Sequence, residues 1–199
     1  IKQFKKLKNS LFEKNYIIGK NYKIKQVFKK ASASNVKDIE SYKILKKLKF
    51  IEYPKLGFQE LKKITKKISM LGGCILLIDY GYLKPNNQDT LQSVFKNRKN
   101  NLFNNLGRAD ISAHVNFSLL KEFFLKKNLE VERIVTQKEF LSRMGIHERS
   151  ELIAKKMSFI EKTNLYLRVK RLLSPKLMGE LFKVILAFKF KEKKFFGFG

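Results

Sequence analysis

The stretch GGCILLIDYGY, Gly72 to Tyr82, decides how this chain is read. Cys74 to Ile78 is apolar without a break, and Asp79, Tyr80, Gly81 and Tyr82 follow directly. A short, continuously apolar run predicts a strand over 74–80 that is covered on both faces inside a parallel sheet. Ligands of open α/β sheets sit just beyond the carboxyl ends of such strands. Asp79 to Tyr82 are therefore candidates for the edge of a site.

The period changes on the amino-terminal side. Phe58, Leu61, Ile64, Ile68 and Leu71 recur at spacings of three and four, with Lys62, Lys63, Lys66 and Lys67 between them. That is an amphipathic helix with a solvated lysine face, stopped by Gly72 and Gly73. A helix feeding a buried strand is half of a βαβ unit. Residues 1–30 alternate as short β segments, IKQF, LFEKNYIIG and YKIKQVF, punctuated by Asn and Gly, and predict a hairpin. Residues 31–57 leave room for a small helix near 38–48, broken by Pro54 and Gly57.

Downstream, TLQSVF reads as a short strand and the Asn-rich 97–105 as a surface loop long enough for a lid. Asn116 caps a helix carrying Phe117, Leu120, Phe123 and Phe124. LEVERIV, 129–135, alternates as a strand. Thr136 and Glu139 have capping-box spacing before Phe140, Leu141 and Met144. Residues 147–173 read as helix in two pieces, and LFKVILAFKF, 181–190, as a final buried strand. The fold class is α/β.

Composition narrows the function classes. With 44% hydrophobic residues and 18 Phe the chain buries a core, and no apolar run approaches the roughly 20 residues that span a bilayer. Cys74 is the sole cysteine, so no internal disulfide forms. The net charge of +27 points to polyanions. The lysines are scattered, however, and only seven Arg accompany them. Arg is the residue that forks phosphates and reads bases, so the charge predicts weak, salt-sensitive polyanion binding and no specific nucleic acid. There is no G-x-G-x-x-G, Walker loop, H-E-x-x-H or paired C-x-x-C, and His114 and His147 form no ligand motif, so no metal is expected.

Four stretches in register, GGCILLIDYGYLKPNNQDTLQSV, GRADISAHVNF, VTQKEFLSRMGIHERSE and LMGELFKVIL, resemble the MidA family of class I methyltransferases. Mitochondrial members of that family modify an arginine of a respiratory complex I subunit. The likeness covers 58–199 well and 1–57 more loosely; the closing FFGF also fits it. Asn116 and Ser112 depart from the family's Asp and Thr. The resemblance implies the C-terminal part of a Rossmann-like methyltransferase sheet, with an added β-hairpin and helical insertions, as one partial domain over 1–199. It also implies S-adenosylmethionine as cofactor, held by a glycine-rich loop expected upstream of residue 1. A protein substrate follows, together with a bacterial cytoplasmic or mitochondrial matrix location. The cut edge of such a sheet predicts poor solubility or a homodimer.

On that resemblance Asp79, Asp110 and His114 are the candidate catalytic residues, and Tyr80, Gly81, Tyr82 and Arg108 the candidate substrate-binding ones. A carboxylate at Asp79 or Asp110 suits a guanidinium through a charge-assisted pair, and an imidazole at His114 suits proton transfer. Each has a structural alternative: Asp79 capping its own turn, Tyr80 packing, Asp110 capping a turn, His114 a satisfied core histidine. Thr136, Gln137 and Glu139 read first as a helix start, Arg143, His147, Glu148 and Arg149 as solvated ion pairs, and Met178-Gly179 as a tight turn. The rival function is a non-enzymatic basic module for partner docking or polyanion binding.

Overall fold

The computed structural model describes residues 1–84, 86–189 and 195–198. In chain order the elements are β1 Lys2–Leu7, β2 Ser10–Ile18, β3 Ile24–Lys30, α1 Ala33–Glu40, β4 Phe50–Tyr53, α2 Lys55–Leu71, β5 Gly73–Tyr82, β6 Gln92–Phe95, β7 Arg98–Asn100 and β8 Asp110–Ser112. There follow β9 Val115–Asn116, α3 Phe117–Leu125, β10 Glu130–Val131, β11 Val135–Thr136, α4 Gln137–Arg143, α5 Ile146–Ala154, α6 Phe159–Leu173, α7 Met178–Leu181 and β12 Phe182–Lys189. Two compact units result, one of residues 1–63 and 84–114, the other of 64–83 and 115–199.

The first unit holds an antiparallel sheet in the order β3-β2-β1-β4. Its core is Phe4, Ile39, Leu45, Ile51 and a triad of rings, Tyr42, Tyr53 and Phe58, with centroids 5.6–6.0 Å apart. Such tilted pairs add to the simple area effect. The small helix lies earlier than expected, at 33–40. Ser32 caps it through the Asn35 amide, and a 3-10 turn at 43–45 follows. Of the predicted 97–105 loop, 98–100 is strand β7 of a small sheet in the order β7-β6-β8, and 101–105 is turn and loop as expected. Lys96 and Asn97, with φ of 50° and 60°, make the two-residue turn between β6 and β7. Two consecutive positive φ values match the twist of a tight hairpin.

The second unit is built on β12. It pairs antiparallel with β5 on one side and with β10 and β11 on the other, and Val184 to Phe188 are all buried. Val184, Leu186 and Phe188 pack with Val135, Phe140, Phe195 and Phe198. Helix α3 packs against β5, β10 and β12.

The predicted doubly covered strand is therefore β12, and β5 corrects the expectation. Its parallel pairing is limited to Gly81 and Tyr82 against Val115 and Asn116 of β9. Its alternate residues are exposed, including Cys74, with Leu76 44% and Ile78 45% accessible. Their register partners are Phe188, Leu186 and Val184, so one apolar face runs from a covered strand onto an open one. Among the described residues, no strand pairs with the other edge of Gly73–Tyr80.

Two smaller corrections follow. The 129–135 strand is two short pieces, β10 and β11. Helix α2 starts at Lys55, three residues before its apolar stripe, just after Pro54. The predicted 181–190 strand is β12 over Phe182–Lys189, and Phe190, its last predicted position, lies outside the described residues.

Candidate functional site

The sequence candidates fall in both units: Asp79, Tyr80, Gly81 and Tyr82 in the second, Arg108, Asp110 and His114 in the first. At the end of β5, the exposed Asp79 carboxylate accepts the Tyr80 N–H at 2.8 Å. This is a local contact within the strand, since β5 runs on to Tyr82, so Asp79 caps no turn; it uses one acceptor site of a group that has about four. Tyr80 meets Phe182 edge-on, centroids 5.6 Å apart. Gly81 is fixed by sterics: a Cβ there would stand 2.1 Å from the Val115 carbonyl oxygen, because β5 and β9 approach closely. Only glycine admits that approach.

In the first unit, the exposed Arg108 stacks its guanidinium 5.7 Å from the Phe95 ring centre. Asp110 opens β8 opposite Val94 and is exposed. The backbone N–H of the half-buried His114 donates to Thr90 Oγ1 at 3.0 Å. Thr90 in turn donates its hydroxyl and its N–H to the two oxygens of the buried Glu52 carboxylate.

That contact leads into a network the sequence did not disclose. The amide of buried Gln3 donates to Glu52 Oε1 at 2.8 Å and to Asp89 Oδ1 at 2.5 Å. Lys14, its side chain only 5% exposed, pairs with Asp89 Oδ2 at 2.6 Å. Burial alone would raise the Asp89 carboxyl. The hydrogen bonds from Lys14, Gln3 and the Leu91 N–H, with the Lys14 charge, outweigh it and hold Asp89 below the usual carboxylate range. Burial likewise works against the Lys14 charge, and Asp89 and Tyr16 overcome it, so the ammonium is held above its usual range. Beside the network lies a cavity of about 370 Å³, lined by Asp89, Thr90, Ser93, Lys99, Asn100 and His114. Lys14 already neutralises Asp89, so Lys99 supplies the charge of the lining, and Ser93 and Asn100 supply directed hydrogen bonds. Its size lies at the lower end of small-molecule sites.

The other singled-out residues are structural. Asn116 Oδ1 accepts the Leu119 N–H at 3.0 Å, the expected cap. Thr136 and Glu139 form the expected capping box, whose backbone hydrogen bond draws the Glu139 carboxyl down. The Gln137 amide donates to the Leu172 carbonyl, a helix-to-helix tie. Among the described residues no ion pair joins Arg143, His147, Glu148 and Arg149, which corrects that expectation; Arg143 reaches the Gly197 carbonyl instead. Gly179 is required by packing, since a Cβ would stand 2.1 Å from the Leu173 carbonyl oxygen. No group of three His, Cys, Asp or Glu among the described residues is placed to hold a metal ion.

A family described as "Putative S-adenosyl-L-methionine-dependent methyltransferase" matches residues 1–135. The chain belongs to this methyltransferase family. Its curated relatives include the mitochondrial protein arginine methyltransferase NDUFAF7 of Xenopus tropicalis, 30% identical over 98 residues, covering 49% of this chain and 22% of that protein. The Rattus norvegicus protein of the same name is 28% identical over 123 residues, covering 61% of this chain and 28% of its own length. Two solved structures from Burkholderia thailandensis share the fold. One, of an uncharacterised protein, has a TM-score of 0.79 at 21% identity and covers 99% of this chain and 52% of that one. The other, described as a "likely methyl transferase" bound to S-adenosyl-homocysteine, has a TM-score of 0.75 at 22% identity and covers 100% of this chain and 50% of that one. The chain thus spans about half of these structures and about a quarter of the curated relatives.

The methyltransferase family takes its methyl group from S-adenosylmethionine. The residues present do not by themselves make a cradle for it. Nucleotide-type cofactors sit on glycine-rich turns from strand to helix, where bare backbone N–H groups approach the ligand. Here β4 passes to α2 through Pro54, β9 to α3 at Asn116 and β11 to α4 at Thr136. Among the described residues, no such junction is glycine-rich.

Proposed function

We propose that the protein containing this chain is a protein-arginine N-methyltransferase, acting on a subunit of respiratory complex I. The observation that carries the reading is the likeness to the NDUFAF7 arginine methyltransferases, which those proteins' names describe as mitochondrial. In this reading the enzyme works in the mitochondrial matrix of a eukaryote or in the cytoplasm of a bacterium. No helix among the described residues is long and apolar enough to cross a membrane.

The role assigned to this chain is to receive the acceptor. Asp79 spends one acceptor site on its own neighbour, and the Asp110 carboxylate makes no hydrogen bond or ion pair among the described residues. Each is chemically suited to orient a guanidinium by two parallel N–H···O bonds. His114 or one of these carboxylates takes the proton that the guanidinium nitrogen must lose. Tyr80, Gly81, Tyr82 and Arg108 are assigned to contacts with the acceptor protein.

The test is genetic and chemical. Mass spectrometry of complex I from cells with and without the gene is read for methylated arginine. Loss of one methylarginine on deletion, restored by the wild-type gene and not by an Asp79→Asn gene, supports the reading. An unchanged methylarginine map overturns it.

A further inference from the structure

The first unit contains a second cavity, of about 590 Å³, between the end of its main sheet and helix α1. Its apolar wall comes from Val36 and Ile39 of α1, Leu45 of the 3-10 turn and Ile51 of β4. The last three are core residues, 4%, 1% and 1% exposed, so they back the wall, and its accessible apolar surface comes from Val36 with the half-buried Leu11 and Ala31. Three exposed lysines also line it: Lys6 at the end of β1, Lys30 at the end of β3 and Lys46 after the turn. They come from three separate stretches of chain and converge on one opening.

None of these three lysines has a carboxylate within ion-pair distance among the described residues. Lys6 Nζ donates to the Lys46 carbonyl at 3.3 Å, which ties the rim together and leaves further N–H groups of Lys6 free. Glu40 is the single acid of the lining. Lys2, Lys14 and Lys55 of the same unit are paired, with Glu13, Asp89 and Asp38 respectively. A pit lined by aliphatic side chains together with Asn9 and Ser10, and by three lysines that no carboxylate pairs, suits an aliphatic body bearing an anion. Its volume lies within the 300–1,000 Å³ of small-molecule sites.

We propose that this cavity is a binding site for a small amphiphilic carboxylate, its chain against Leu11, Ala31 and Val36 and its head among Lys6, Lys30 and Lys46. The site is independent of methyl transfer. The apolar wall removes hydrocarbon from water, and the lysines select the anionic head over a neutral one.

The probe is sodium decanoate, titrated calorimetrically into the whole protein, with decanol and acetate as controls. Saturable binding at one site per chain is expected. Decanol should bind at least about fivefold more weakly, and acetate should give no saturable signal. A Lys30→Ala/Lys46→Ala variant removes two exposed side chains without touching the core. It should weaken decanoate roughly fivefold to tenfold. Val36→Trp, which fills the pit from α1, should abolish binding while the circular-dichroism melt shows the fold retained. Equal affinity for decanoate and decanol, or undiminished binding by the double-lysine variant, would show general apolar adhesion and overturn the proposal. So would the absence of saturable binding.

Discussion

Asp79 stands directly opposite Lys183 in the antiparallel β5–β12 pair, yet the two charges do not form an ion pair. The Asp79 carboxylate turns to the Tyr80 N–H, and the Lys183 ammonium donates to the Glu180 carbonyl. Burial lowers the Lys183 ammonium below its usual range, and the nearby Glu180 and Glu139 charges only partly restore it. A carboxylate left out of so near a pairing remains available to a guanidinium.

Asp79→Asn separates the two roles. Asparagine keeps an oxygen for the Tyr80 N–H, so stability should change by less than about 0.5 kcal/mol. The acceptor loses its charge-assisted partner, so kcat/KM for the protein substrate should fall by roughly a hundredfold. Thermal melts and methylation kinetics on the whole protein check both. A drop in melting temperature that matches the loss of activity would return Asp79 to a structural role.

Thr90 joins the Glu52 carboxylate to the His114 backbone. Thr90→Val keeps the shape and removes both the donor and the acceptor. It should cost about 1–3 kcal/mol in urea unfolding, because partly buried polar groups lose their partners. Thr90→Ser should recover most of it.

The Lys14–Asp89 pair gives a pH dependence whose sign is fixed. The folded Asp89 carboxyl lies below its ordinary 3.8, so its contribution is present above about pH 4 and is lost as pH falls through the lower folded value. The folded Lys14 ammonium lies above its ordinary 10.5, so its contribution holds below that and fades as pH rises through the higher value. The stability difference between wild type and Asp89→Asn should be flat from about pH 5 to 9 and shrink outside it. Asp89 is 42% exposed, so the plateau should not exceed about 1 kcal/mol. Denaturant titrations across pH measure it.

Gly81→Ala places a Cβ against backbone that has nowhere to yield. Loss of the β5–β9 approach should destabilise by about 1–3 kcal/mol. Hydrogen exchange should show faster exchange at Val115 and Asn116, with β12 unaffected.

Local chemistry was legible in the sequence. The apolar stripe of α2, the caps at Asn116 and Thr136 and the break at Gly72 all depend on residues within a few positions, and they stand where the pattern puts them. Burial of β5 was not legible, because an apolar strand carries no mark of what covers it. The turn at Lys96-Asn97 escaped notice because Lys rarely signals a positive φ. The Gln3–Asp89 contact joins residues 86 positions apart, and neither belongs to a local motif. In the candidate site, Gly81 was chosen on resemblance and is explained by close approach, while Asn100, Ser93 and Thr90 beside His114 carried no periodic or motif signal.

The most direct measurement is transfer of labelled methyl from S-adenosylmethionine by the whole protein to purified complex I subunits, with the product hydrolysed and its amino acids separated. Label in methylarginine, lost in the Asp79→Asn protein, is the result predicted. Tight donor binding with label on a residue other than arginine, or no transfer to any subunit, would contradict the account.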